Sequence, residues 1–266
     1  MIIVAGGDSF IWGSELLDCY HSGPDGYSKQ TFTALLSAEY EYQCAAFPGN
    51  SNDGIARMTI NACEQNKGKQ QVAFVSWTFP GRYEFYIETA QGPKWEIINS
   101  WSVGKQYSHN DDIDKNKVVD LFKNKVDILG IGKFAESYFA NVGFLEYWEI
   151  YTALKEVVYL QNYLIVNKIP YLFTCADNVI FNCYTISHAD ETIKSLYDQI
   201  LFDNWYFFPP GQGANQTITP RGFYQWAVEN KYKIGVTHPL EHAHKDAAEL
   251  IKEKFNELVK KSIQSN

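Results

Sequence analysis

Three short segments of the sequence carry residue types that suit nucleophilic chemistry, and the first lies near the amino terminus. The apolar residues 1–5 predict a buried strand, and Gly6-Gly7-Asp8-Ser9-Phe10 follows it. A strand that stops in a glycine turn presents the next side chains at the carboxyl edge of a sheet, where open α/β proteins bind ligands. Ser9 is therefore a candidate nucleophile whose own N–H can stabilise an oxyanion. The alternative is that Asp8 or Ser9 only caps the next helix.

The second segment, Phe47-Pro48-Gly49-Asn50-Ser51-Asn52-Asp53, also follows a predicted strand. Gly49 can bring its N–H close to a ligand, and the side-chain amide of Asn50 or Asn52 can donate a hydrogen bond to it. Taken alone, the segment is equally typical of a turn between a strand and a helix with an N-cap.

The third segment, Thr237-His238-Pro239, precedes the predicted C-terminal helix. Histidine titrates near neutral pH, so His238 suits proton transfer, and a proline in the first helical turn fixes its position. His238 and His242 have the spacing of metal ligands, but no cysteine, second histidine pair or acidic cluster completes a site. We therefore predict no metal and no cofactor, and we expect structural roles for His242 and His244.

Alternating strand and helix patterns indicate how these segments are positioned. The order predicts an α/β fold in which helices flank a parallel sheet on both sides, a three-layer sandwich. The predicted strands are 1–5, 41–47, 71–77 and 170–175, and the predicted helices are 28–40, 52–65, 133–167 with a break at Gly143, 189–201, 223–230 and 240–263. Residues 83–88 and 94–101 flank Gly92-Pro93 and predict an inserted β-hairpin. We expect one domain over residues 1–266 with an insertion at about 83–130.

Composition excludes several classes of protein. Of 266 residues, 45% are hydrophobic and 20% charged, which is typical of a globular chain, and the net charge of −8 argues against a nucleic-acid partner. Five cysteines without a CxxC pair indicate reduced thiols. The chain enters its first strand at once and has no apolar run of membrane-spanning length, so we expect cytoplasmic synthesis without a signal peptide.

Together the three segments resemble the SGNH hydrolase superfamily, also called the GDSL esterase/lipase family. The resemblance implies a flavodoxin-like fold, with Ser9 of GGDSF as nucleophile and oxyanion donor. It implies that Gly49 of FPGNSND supplies a second oxyanion N–H, and we expect the Asn52 side chain to bind the oxyanion or the substrate. In THPLEHAH it assigns the general base to His238.

Two positions depart from the family pattern. The third family block carries an oxyanion-binding Asn, but the matching strand here ends Ser76-Trp77-Thr78-Phe79-Pro80-Gly81-Arg82. We expect the Thr78 hydroxyl to replace that donor and Arg82 to bind an anionic group. The family Asp three residues before the catalytic His is Gly235 here. The orienting acid is then Glu241, Asp177 or a backbone carbonyl, the last leaving a Ser–His dyad.

Two functions follow from this resemblance. The first is an esterase or deacetylase that acts on a small-molecule or glycan ester, with aromatic loops at 77–86 and 205–208 forming a sugar-stacking rim or, alternatively, filling the core. The second is a catalytically degenerate SGNH-fold protein that binds glycans or joins a larger assembly such as a viral particle. The leaderless, aromatic chain is similar in style to SGNH-like proteins encoded by bacteriophages, which implies a virion-associated location.

Overall fold

Four parallel strands form the central sheet of the computed structural model, which describes residues 1–19, 26–88, 92–99, 128–181, 188, 190–211 and 220–264. Their order across the sheet is β2 (Glu41–Ala46), β1 (Ile2–Gly7), β3 (Gln71–Trp77) and β6 (Tyr171–Cys175). β1, β3 and β6 are buried along their whole length, as expected for a parallel sheet covered on both faces. β1 therefore lies inside the sheet, and its carboxyl end opens onto the edge where ligands bind in such folds.

Helices cover both faces of this sheet, as the strand and helix patterns predict. Val4, Ile55, Leu154 and Ile193 belong to the core on one face, and Ile3, Phe32, Phe223 and Ile251 belong to the core on the other. The helices are α1 (Ser9–Trp12), α2 (Phe32–Leu36), α3 (Asn52–Gln65), α4 (Ile128–Tyr138), α5 (Glu146–Val166), α6 (Glu191–Asp198), α7 (Phe223–Glu229) and α8 (Glu241–Gln264). The predicted break is confirmed, because a π-helical turn spans Phe139–Gly143 between α4 and α5.

Two further strands form a separate antiparallel ribbon, β4 (Arg82–Ile87) and β5 (Lys94–Asn99). Glu84 fastens the ribbon to α3, because its carboxylate accepts two 2.7 Å hydrogen bonds from Arg57 and its N–H donates to Asp53 at 2.9 Å. Residues 89–91 and 100–127 lie outside the described part of the chain, so the limits of the insertion expected at 83–130 stay a prediction.

The aromatic segment at 205–208 does not form the rim that we considered from its sequence. Trp205 and Phe208 are each 2% exposed, and Trp77 is fully buried. The reason is local pairing: Trp205 bridges Phe173 in parallel, and the Tyr206 N–H donates to the Phe173 carbonyl at 2.8 Å. The segment thereby extends the sheet beyond β6 and directs its large rings into the core. Tyr86, in the other segment, is exposed.

His244 is a buried, structural histidine. Its Nδ1 accepts a 3.2 Å hydrogen bond from the Phe32 N–H, and its ring packs against Phe32 and Phe223. Burial lowers the pKa of His244 to about 3, and the nearby His238 adds to the effect. The imidazole is consequently neutral at physiological pH, and from α8 it accepts a hydrogen bond from α2.

The described cysteines Cys19, Cys44, Cys63 and Cys175 are free thiols, and Cys183 lies outside the described residues. Burial raises the pKa of Cys44 to about 11 and that of Cys63 to about 12, so both are protonated and unreactive at neutral pH. Within the ranges given above, no helix combines the length and apolar character needed to cross a membrane.

We predict that His244 makes folding stability depend on pH. The unfolded chain protonates this histidine below about pH 6.5, whereas the folded chain resists protonation down to about 3. The unfolded state therefore binds more protons in this window, and stability falls as pH drops through it. His244→Asn should reduce the difference in unfolding free energy between pH 7 and pH 4.5, measured by urea denaturation. His242→Asn is the matched control, because His242 is exposed. The same free-energy difference between pH 7 and pH 4.5 in the wild type and both variants would contradict the prediction.

Candidate active site

Ser9 stands at the carboxyl end of β1 as the first residue of α1. Asp8 caps this short helix, since its Oδ1 accepts a 3.0 Å hydrogen bond from the Phe10 N–H. The Ser9 side chain is largely buried, but it lines a cavity at the carboxyl edge of the sheet. The sequence-based placement of Ser9 at this edge agrees with the structure.

His238 reaches Ser9 from the far end of the chain. Its Nε2 lies 2.7 Å from Ser9 Oγ. A tight loop before α8 holds the ring, because the Gly235 N–H donates to the His238 carbonyl at 2.8 Å and Ile234 bridges Pro239. The Phe10 ring packs against the imidazole, with 4.9 Å between ring centroids. The structure thus brings together the two residues that the sequence singled out as nucleophile and base.

Glu15 is the carboxylate that faces the other nitrogen of His238. Its Oε1 lies 2.7 Å from His238 Nδ1 and accepts a 2.9 Å hydrogen bond from the Thr237 hydroxyl. Oε2 accepts a hydrogen bond from the Val236 N–H, and Oε1 accepts another from the Thr237 N–H at 3.1 Å. Burial raises the pKa of Glu15, but the hydrogen bonds from His238, Thr237 and Val236 outweigh it, so the pKa lies below its ordinary value. Glu15 is therefore ionised at neutral pH.

The backbone of Glu15 adopts a left-handed conformation, with φ of 71°. A non-glycine residue in this region costs on the order of 1–3 kcal/mol and is retained where surrounding contacts impose it. Here the four donors around the carboxylate supply those contacts. Neither the conformation nor the contact with His238 is encoded in local periodicity, which explains why sequence reasoning missed Glu15.

Gly235 leaves free the space beside His238 that the Glu15 carboxylate occupies. A Cβ built at Gly235 would overlap Glu15 Oε2, so the carboxylate occupies the space that a side chain at position 235 would need. This is the position at which the SGNH resemblance expects an Asp. The glycine there was the one sequence signal that pointed to an acid supplied from elsewhere.

The two carboxylates proposed from sequence have other partners. Glu241 Oε1 accepts a 2.9 Å hydrogen bond from the Leu17 N–H, and Asp177 accepts one of 2.9 Å from the Val179 N–H. Burial raises the pKa of Asp177, although the Val179 hydrogen bond opposes the effect. The expectation that Glu241 or Asp177 orients His238 is wrong, because Glu15 already fills the hydrogen-bonding position on Nδ1.

Two residues of the cavity lining, Ser9 and Gly49, have backbone N–H groups that make no backbone hydrogen bond within the described residues. Ser9 is the first residue of α1, so its N–H has no acceptor within the helix. Gly49 has φ of 77°, a conformation that favours glycine, and its N–H makes no backbone hydrogen bond within the described ranges. Both residues line the same cavity as His238.

Thr78 and Asn52 do not point donors into this cavity. The Thr78 hydroxyl donates to Asp8 Oδ2 and accepts a 2.9 Å hydrogen bond from Arg82 Nη1. Asn52 pairs with the Thr78 backbone, since its Oδ1 accepts from the Thr78 N–H at 2.9 Å and its Nδ2 donates to the Thr78 carbonyl at 3.3 Å. The expectation that the Thr78 hydroxyl serves as an oxyanion donor is therefore wrong. Both residues instead tie the end of β3 to α3.

The cavity has a volume of about 660 Å³, and its lining surface is mainly apolar. Arg82 and Asn99, which face each other across the β4–β5 ribbon, both line it. The remaining lining residues are Phe10, Ser14, Pro48, Gly49, Phe79, Gly81, Tyr224, Thr237 and His238. This volume is ample for a small ester or a sugar residue.

The arrangement can activate a hydroxyl for nucleophilic attack. When His238 Nδ1 carries the proton that Glu15 accepts, the Nε2 lone pair faces the Ser9 hydroxyl and can take its proton. An anionic Glu15 then stabilises the imidazolium that forms. Comparison with protein-family models, curated proteins and solved structures found no match, so functional inference depends on this geometry.

We predict that Glu15 controls the reactivity of Ser9 toward a fluorophosphonate probe. Glu15→Gln removes the charge that supports the imidazolium, and the labelling rate should fall by about 10²- to 10⁴-fold. Glu241→Gln and Asp177→Asn remove carboxylates that do not touch His238, so they should label near the wild-type rate. The rates are measured by intact-protein mass spectrometry. Slow labelling of Glu241→Gln together with fast labelling of Glu15→Gln would reject the assignment of Glu15 as the carboxylate that supports His238.

We also predict that the acid can be moved to position 235. Glu15→Ala should slow labelling of Ser9, and the double variant Glu15→Ala/Gly235→Asp should recover part of the lost rate, because the new side chain enters the vacated carboxylate space. Glu15→Ala/Gly235→Asn is the uncharged control and should not recover. Recovery with Asn as well as with Asp would show that packing, rather than charge, limits the reaction.

Proposed function

We propose that the protein is a serine esterase of the SGNH type, with Ser9, His238 and Glu15 as its catalytic triad. The observation that carries the proposal is the pair of 2.7 Å contacts from Ser9 Oγ to His238 Nε2 and from His238 Nδ1 to Glu15 Oε1. A hydroxyl, an imidazole and a carboxylate in this order, with the hydroxyl and the imidazole lining a cavity, form a general arrangement for acyl transfer.

The reaction begins when Ser9 Oγ attacks the ester carbonyl while His238 Nε2 takes the hydroxyl proton. The N–H groups of Ser9 and Gly49 hold the negative charge on the carbonyl oxygen. The C–O bond to the alcohol then breaks, and His238 returns its proton to the leaving oxygen. In the second half, His238 takes a proton from water, the resulting hydroxide releases the acid from Ser9, and the proton returns to Ser9 Oγ.

The cavity favours an acylated polar substrate, with a carbohydrate ester as the proposed class. The Phe10, Phe79 and Tyr224 rings offer apolar surface on which the face of a sugar or a short acyl chain can pack. Asn99 and Arg82 add polar groups to the same lining. Such a combination of aromatic and polar walls is typical of sites that bind small polar ligands.

A specific observation favours a second candidate, an SGNH-fold protein that binds glycans or joins a larger particle without catalysis. The block-three Asn is replaced, and the Thr78 hydroxyl that follows β3 donates to Asp8. Loss of one oxyanion donor costs about 10²- to 10³-fold in rate, which is enough to leave a binding protein with only residual activity. Absence of fluorophosphonate labelling at Ser9 in the wild-type protein would favour this second candidate.

We predict that the protein hydrolyses p-nitrophenyl acetate and that Ser9→Ala lowers kcat/KM by about 10⁴-fold or more, because no other group replaces the nucleophile. Ser14→Ala is the matched comparison, since Ser14 lines the same cavity but Ser9 is the serine bonded to His238. It should retain measurable turnover. Equal rates for wild type and Ser9→Ala, with release of p-nitrophenol followed at 400 nm, would reject the esterase.

A further inference from the structure

The proposed oxyanion site has two backbone donors and an adjacent cation. Ser9 and Gly49 supply the N–H groups, and Thr78 directs its hydroxyl to Asp8. Arg82 lines the same cavity, at the first position of β4.

Nη1 of Arg82 contacts the neighbours of both backbone donors. It lies 3.2 Å from Oδ2 of Asp8, which precedes Ser9, and 3.3 Å from the carbonyl of Asn50, which follows Gly49. A third contact, 2.9 Å, joins it to the Thr78 hydroxyl. The guanidinium therefore spans the two loops that carry the oxyanion N–H groups.

The guanidinium of Arg82 keeps N–H donors that make no hydrogen bond within the described residues. Nη1 makes all the hydrogen bonds that Arg82 donates within the described residues, so Nη2 and Nε have none there. The side chain is 21% exposed and borders the cavity, whereas the partner carboxylate of Asp8 is fully buried. Arginine presents five N–H donors in a planar fork, which lets it serve Asp8 on one side and a ligand on the other.

The ribbon holds this cation in place before any substrate arrives. Arg82 pairs with Asn99 across the ribbon, and two residues further on Glu84 is fixed by Arg57. The Phe79 ring lies 5.2 Å from the guanidinium carbon and limits its motion. A donor fixed in this way requires little reorganisation as charge develops, which is the condition for strong electrostatic stabilisation.

We propose that Arg82 is the third oxyanion donor and replaces the Asn of the family's third block. This inference rests on the proposed esterase function. Arg82 donates from its uncommitted N–H groups to the carbonyl oxygen as that oxygen gains negative charge in the tetrahedral intermediate.

The test compares Arg82→Gln with wild type, using p-nitrophenyl acetate as a neutral substrate and phenylboronic acid as a tetrahedral analogue. An oxyanion donor acts mainly in the transition state, so kcat should fall by about 10²- to 10³-fold with little change in KM. The inhibition constant of the boronic acid should rise together with the loss in kcat. Arg57→Gln is the matched control, because Arg57 also fastens the ribbon through Glu84 but does not line the cavity.

Unpairing a buried carboxylate destabilises a fold, so Arg82→Gln is accompanied by Asp8→Asn/Arg82→Gln, which removes both charges together. The double variant should show the same loss in kcat and in boronate affinity. Unchanged kcat for the neutral ester, with a raised KM for an ester bearing a carboxylate, would overturn the inference and assign Arg82 to substrate recognition. A wild-type protein inert to both reagents would instead reject the esterase itself.

Discussion

The hydrogen bond between Ser9 Oγ and His238 Nε2 joins residues 229 positions apart, and the rest of the site depends on how the fold maintains it. β1 fixes one end, because it lies between β2 and β3 and is buried along its length. The other end is set by the loop before α8, a helix that packs against α2 and the sheet. A shift of either element by about one ångström would lengthen this bond, and catalytic groups tolerate little displacement.

The ion pair between the buried Asp8 and the partly exposed Arg82 imposes a second constraint. Asp8 uses one carboxylate oxygen to cap α1 and the other to bind the Thr78 hydroxyl and Arg82. The turn that presents Ser9 is thereby connected to the end of β3 and to the β4–β5 ribbon. Buried charges are stable only when they are paired and hydrogen-bonded, so these three parts of the chain must be assembled together.

The sequence predicted the framework and singled out Ser9 and His238, because both depend on local signals. Alternating buried strands and helices mark the parallel sheet, and Ser9 and His238 each follow a recognisable turn. The orienting acid could not be deduced in the same way. Glu15 lies in an irregular turn with positive φ, and only the three-dimensional path of the chain brings it to His238. The prediction for Thr78 was wrong for a related reason, since its hydroxyl donates a hydrogen bond to Asp8, a residue 70 positions away.

Glu15 and Gly235 occupy one volume from two loops, and this has a consequence for how such sites diversify. A chain whose carboxylate comes from the Glu15 loop needs a glycine at position 235, because a side chain there would overlap the carboxylate. A chain whose acid stands at position 235 must instead keep the Glu15 side chain out of that space. The two positions are therefore exchangeable but not independent. Sequence searches that require an acid in the histidine loop will pass over proteins of this kind, and scoring the two positions jointly would recover them.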